Sequence, residues 1–223
     1  MLIETLRHLV VEHSRLLVSQ SLTRGTGGNI SAINEDRSLV AITPSGVPYS
    51  IMTASDVCVV DLDGKRIDGD LLPSSELDLH LECYRRRLDV GSVVHSHSTY
   101  ATVMACLGLP LQPIHYLIGF AGEDVPVTPY EVFGTAELAR LAVDVMGDRN
   151  AVLLGNHGLL AVGRDLPSAF NVAEEIEFVA EIYYKTLCVG GGKLIEDDLF
   201  KASIAKFASY GQQVSALKAD EAR

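Results

Sequence analysis

The stretch Val93-Val94-His95-Ser96-His97-Ser98 constrains this chain more than any other. An apolar pair runs into two histidines spaced i, i+2. On a β-strand such positions share a face, so two imidazoles are expected side by side at a strand end. A third histidine, His157, closes a second short apolar run, Leu153-Leu154-Gly155-Asn156-His157-Gly158. A carboxylate, Glu76, sits in Pro73-Ser74-Ser75-Glu76. Three neutral imidazoles with an open fourth position make a catalytic zinc site, and a carboxylate beside them can move protons. Taken singly, each piece has an ordinary reading. Histidines occur at strand ends without metal, and Glu76 alone would be dipole compensation at a helix start, worth under ~1 kcal/mol.

Composition narrows what such a site could serve. The net charge of -11 argues against nucleic acid as a partner, because a phosphate backbone seeks a basic face. A small anion remains compatible, since backbone N–H groups in a glycine-rich nest suffice to bind one. The four cysteines, Cys58, Cys83, Cys106 and Cys188, form no CxxC pair. They read as free thiols in a reducing cytoplasm. No apolar run approaches the roughly 18 residues of a membrane span. Glu4, Arg7 and His8 interrupt the apolar N-terminus, which does not read as a signal peptide. The 223 residues are expected to form one domain, 1–223.

The apolar spacing over 2–19 predicts an amphipathic helix, with His8 and His13 as surface or packing residues. Gly25-Thr26-Gly27-Gly28-Asn29 permits positive φ and a close approach of backbone to ligand. It is neither a Walker loop nor a dinucleotide fingerprint. Strands are expected over 39–43 and 56–62, with a hairpin turn at Asp63-Gly64 and a return strand from Lys65. Pro44-Ser45-Gly46 makes a second small-residue turn. Ser74 or Ser75 is expected to cap a helix running to about Arg87, offering hydroxyls and free N–H groups to an anion. Further elements are expected as a strand at 92–96, helices over 99–107 and 135–146, a hairpin over 151–162, and helices over 168–187 and 196–209. The alternation predicts an α/β chain.

The full set of motifs resembles the class II aldolase/adducin family, and most closely its branch of L-fuculose-1-phosphate aldolases. The stretches that carry the resemblance are 25–31, Thr43-Pro44-Ser45-Gly46-Val47-Pro48-Tyr49, Leu72 to Glu76, and Val93 to His97. They continue in Ile114-His115-Tyr116, Phe133-Gly134-Thr135, Asn156-His157-Gly158-Leu159 and Lys206 to Gly211. The resemblance implies a three-layer α/β/α fold, with a central, mainly antiparallel sheet flanked by helices. It implies one Zn²⁺ per subunit on His95, His97 and His157, with Glu76 as catalytic carboxylate and resting fourth ligand. It places the substrate phosphate on Thr26, Gly28, Asn29, Ser45, Gly46, Ser74 and Ser75. Tyr116 would protonate the aldehyde oxygen across a subunit interface of a homotetramer, and Phe133 and Tyr210 would shape the aldehyde pocket. The implied reaction is reversible cleavage of a ketose 1-phosphate to dihydroxyacetone phosphate and an aldehyde.

The residues agree with that chemistry. Breaking a C–C bond beside a ketone leaves an enediolate, whose charge a Lewis-acidic metal stabilises. No lysine sits in the motifs before the C-terminal Lys206, so a Schiff-base route lacks its nucleophile among them. Ser45 stands where these aldolases typically carry threonine, and residues 119–123 depart from their loop. Sugar-phosphate 4-epimerases, sugar-acid phosphate decarboxylases and a thiosugar-phosphate dehydratase share the fold and remain open. The epimerases place an aspartate where this chain reads Ile114-His115-Tyr116-Leu117-Ile118, with no carboxylate before Glu123. An adducin-like binding module lacks the metal ligands that are present here.

Overall fold

The computed structural model describes residues 1–207. Seven strands are described: β1 (Asn29–Ile33), β2 (Leu39–Ile42), β3 (Cys58–Asp61), β4 (Arg66–Asp68), β5 (Ser92–Ser96), β6 (Ala151–Leu154) and β7 (Gly158–Gly163). They make one sheet in the order β4-β3-β2-β1-β5-β7-β6. Every neighbouring pair in it is antiparallel. A lone parallel bridge from Val127 to Leu153 extends it beside β6. Six helices flank the sheet: α1 (Glu4–Ser19), α2 (Leu77–Arg86), α3 (Thr99–Leu107), α4 (Ala136–Met146), α5 (Leu166–Leu187) and α6 (Asp197–Phe207). A 3-10 turn spans Tyr116–Phe120.

Strand alternation sorts the core into two clusters. On one face Ile30, Ala32, Val94, Leu159 and Ala161 pack against Val10 and Leu17 of α1, Met104 of α3, and Ile176 and Val179 of α5. On the other, Ile33, Val40, Val93, Leu160 and Val162 meet Leu79 and Tyr84 of α2 and Leu138 and Met146 of α4. The result is the expected three-layer α/β/α arrangement. His8 is exposed. His13 is buried, with its ring edge on Phe170 at 5.6 Å, so both act as surface or packing residues. All four cysteines are free. No helix among the described residues is long and apolar enough to cross a membrane.

Two helix starts differ from expectation. α2 begins at Leu77, and neither Ser74 nor Ser75 caps it. Residues 72–74 are drawn into an extended bridge with 43–45 instead, through Ser74 N–H to Thr43 O (3.0 Å) and Ser45 N–H to Leu72 O (2.9 Å). Glu76 therefore occupies the N-cap position itself. α5 begins at Leu166 rather than Ser168. Asp165 accepts from the Ser168 N–H in a capping box, and Pro167 is tolerated in the first turn.

Candidate active site

The four residues expected to hold a metal come from four places that the sheet brings to one end. β5 is antiparallel to β1, so His95 near its end lies opposite Asn29 at the start of β1. His97 follows the last residue of β5. His157 lies in the tight β6–β7 turn, where Asn156 adopts a left-handed φ of 52° and the His157 N–H bonds Leu154 O at 3.0 Å. Glu76 enters from the start of α2.

His95 Nδ1 lies 2.9 Å from the Leu159 carbonyl. A carbonyl only accepts, so Nδ1 carries the proton and the Nε2 lone pair faces inward. That Nε2 is 3.0 Å from His97 Nε2 and 3.1 Å from Glu76 Oε2, while Glu76 Oε1 is 3.4 Å from His157 Nε2. The four ligand atoms all lie within 4.8 Å of one another. Tetrahedral bonds of about 2.0–2.1 Å put ligand atoms about 3.3 Å apart, so the spacing suits a divalent cation. Glu76 Oε1 is buried without a hydrogen-bond partner, as an atom awaiting a cation would be.

Charge is arranged to match. Burial alone would raise the Glu76 pKa, but His95 and the hydrogen bond from Asn29 outweigh it and hold the group well below the usual carboxylate range. For His95, burial favours the neutral form, while Glu76 outweighs it and raises the pKa. His157 is pushed down to about 4, first by burial and then by His95, which leaves it neutral and ready to ligate.

Beside this cluster opens a cleft of about 460 Å³. Thr26, Gly28, Asn29, Ser45, Gly46, Ser74, Ser75 and Phe133 all line it, together with Glu76, His97 and His157. No lysine or arginine does so among the described residues. The glycine turn is pinned by the buried Tyr49, whose hydroxyl donates to the Gly28 carbonyl at 2.7 Å. Gly28 has φ of +69°, and a Cβ there would stand 2.6 Å from the His95 carbonyl oxygen, so only glycine lets the turn lie on the end of β5. Tyr130, Glu131 and Asn156 also line the cleft, although the sequence had not marked them for it.

Tyr116 lies elsewhere. It is 48% exposed on the 3-10 turn, in a separate groove of about 1040 Å³ shared with Phe120 and Phe207. Tyr210 falls outside the described residues. One buried residue under the site escaped the sequence reading. His80 is hydrogen-bonded to Asn29. Its only signal was the helical spacing of Glu76, His80 and Tyr84 on what should be an apolar face.

Residues 8–184 match the model of the family described as class II aldolase and adducin N-terminal domain. The chain belongs to the class II aldolase family. It is 49% identical over 213 residues to the 5-deoxy-D-ribulose 1-phosphate aldolase of Bacillus thuringiensis serovar kurstaki, covering 96% of this chain and all of that one. It is 36% identical to the L-fuculose phosphate aldolase of Escherichia coli strain K12, covering 86% of this chain and 89% of the relative. A solved L-fuculose 1-phosphate aldolase superposes with a TM-score of 0.89 at 42% identity, covering 92% of this chain and 96% of that one. With the aldolase relatives and its ligand set intact, this class II aldolase is an enzyme of the lyase type.

Proposed function

We propose that the chain is a zinc-dependent aldolase that cleaves a 5-deoxypentulose 1-phosphate to dihydroxyacetone phosphate and acetaldehyde, and catalyses the reverse condensation. The observation that carries this reading is one juxtaposition. Three imidazoles and a carboxylate converge beside a cleft rich in neutral donors. The 5-deoxy substrate is supported by the name of the relative that is 49% identical over nearly the whole chain, a 5-deoxy-D-ribulose 1-phosphate aldolase. When bound by His95, His97 and His157, zinc supplies a Lewis acid for the charge that develops on the substrate's carbonyl and adjacent hydroxyl oxygens.

The chain's own residues do the rest. Ser45, Ser74, Ser75 and the 26–29 turn hold the phosphate with neutral donors, and Asn29 keeps a second amide hydrogen for it beyond the one given to Glu76. In cleavage, the C4 hydroxyl gives up its proton, the C3–C4 bond breaks, and its electron pair stays on C3. The aldehyde leaves, and Glu76 delivers a proton to C3. In condensation Glu76 removes that proton. Bound substrate that parts Glu76 from His95 and His157 would remove the charge that holds its proton affinity down, and so free it to act as the base. Phosphate dependence is directly testable. Inorganic phosphate should compete with substrate, and unphosphorylated dihydroxyacetone should react far more slowly. Equal rates for the two ketones would defeat this assignment.

Tyr116 is proposed as the group that exchanges a proton with the aldehyde oxygen, supplied to a neighbouring subunit of a homotetramer. Its position outside the cleft of its own chain supports delivery to another copy. Co-expressed Glu76→Gln and Tyr116→Phe subunits should then recover activity that neither has alone, because mixed assemblies contain intact composite sites. No recovery in verified mixed oligomers would place Tyr116 outside the reaction. The product with an aldehyde panel separates the remaining readings. Acetaldehyde as preferred partner supports the 5-deoxy substrate, lactaldehyde the fuculose-type one, and epimerised, decarboxylated or dehydrated products another reaction.

A further inference from the structure

Beneath α2 runs a column of five polar side chains in the helix–sheet interface. Glu76, His80 and Tyr84 succeed one another at four-residue steps on the helix face that meets β1, and Asn29 and Ser31 face them from the strand. Glu76 is 6% exposed, Asn29 5%, His80 and Ser31 0%, and Tyr84 1%. Asn29 Nδ2 is 2.9 Å from Glu76 Oε2, and Asn29 Oδ1 is 2.5 Å from His80 Nε2. His80 Nδ1 is 2.6 Å from Ser31 Oγ, which is 2.7 Å from the Tyr84 hydroxyl.

Proton counting gives this column one direction. An ionised carboxylate only accepts, so Asn29 must turn its amide N–H to Glu76 and its carbonyl to His80. His80 must then donate from Nε2. Burial holds its pKa down at about 3, with His95 adding to the effect, so the ring is neutral and Nδ1 is an acceptor. Ser31 gives its only proton to that Nδ1. Tyr84 therefore donates to Ser31. Four hydrogen bonds point the same way and end on the carboxylate.

We propose that His80 is a positioning residue for the aldol reaction, fixing the Asn29 amide so that it donates to Glu76 and aims the carboxylate at the substrate carbon. An apolar residue at 80 would leave the buried Asn29 carbonyl oxygen without its donor, so the amide would shift toward another partner and no longer hold the carboxylate in place. Groups that orient the ligands of a metal centre are commonly worth 10- to 100-fold in activity. The inference rests on the reading of Glu76 as the base.

The experiment combines spectroscopy with a mutant cycle. Long-range ¹H–¹⁵N spectra of metal-free and metal-loaded protein should show His80 neutral with its proton on Nε2, assigned by the signal lost in His80→Gln. His80→Leu should bind its metal and lose kcat for C3 proton exchange about 10- to 100-fold. His80→Gln, which can still present a donor to Asn29, should recover most of that loss. In the Glu76→Gln background, His80→Leu should add nothing, because both act through one carboxylate. A proton on Nδ1, full kcat in His80→Leu, or a loss that multiplies in the Glu76→Gln background would overturn the proposal. A fully active Glu76→Gln enzyme would instead overturn the reading of Glu76 and leave the tautomer result to stand alone.

Discussion

Glu76→Gln is expected to keep its metal and to lose C3 proton exchange of dihydroxyacetone phosphate by about 10²–10⁴-fold, the usual share of a positioned general base. The three imidazoles that remain are enough to hold a divalent cation. His95 keeps its Nδ1 contact with the Leu159 carbonyl after the change, so its inward-facing Nε2 lone pair survives. What disappears is the one carboxylate of the cluster among the described residues. Glutamine has nearly the same shape and can still reach Asn29, so misfolding is a poor explanation for the loss. Exchange at C3, followed by NMR in deuterated water, isolates this step because it requires no aldehyde. Tyr116→Phe serves as the contrast in the same assay, since exchange should persist there while net cleavage falls. Undiminished exchange in Glu76→Gln would mean that another group is the base.

His157→Ala is expected to remove metal and activity together. His157 is a ligand candidate from the β6–β7 turn, and its loss leaves two imidazoles and a carboxylate that is already bonded to Asn29. The substitution should cost little in folding, because the ring is partly exposed and the turn is held by backbone bonds. Metal analysis of the purified variant should give far less than one equivalent per chain. Dialysis of the parent protein against a chelator should reproduce the inactivity, and added Zn²⁺ should reverse it in the parent alone. A fully active His157→Ala protein with zinc retained would sink the assignment of the centre.

Much of this arrangement was legible along the chain, because it depends on short-range rules. The i, i+2 histidines, the glycine turn and the small-residue turns each announce themselves within a few residues, and the order of the motifs carried the family resemblance. Periodicity located the strands and helices, since burying one face leaves its period in the residue pattern. The boundaries of α2 and α5 were less legible. Whether Ser74 caps a helix or joins a bridge depends on Thr43, and Thr43 is far away in sequence.

Tertiary structure alone decided two things. It placed Tyr116 in a groove apart from the cleft that holds Glu76, His97 and His157. It also buried His80 completely and gave it Asn29 and Ser31 as partners, 51 and 49 residues distant. A histidine on a helix reads alike from sequence whether it faces water or a strand. Its tautomer and its effect on Glu76 exist only once the sheet supplies the acceptor and donor on either side.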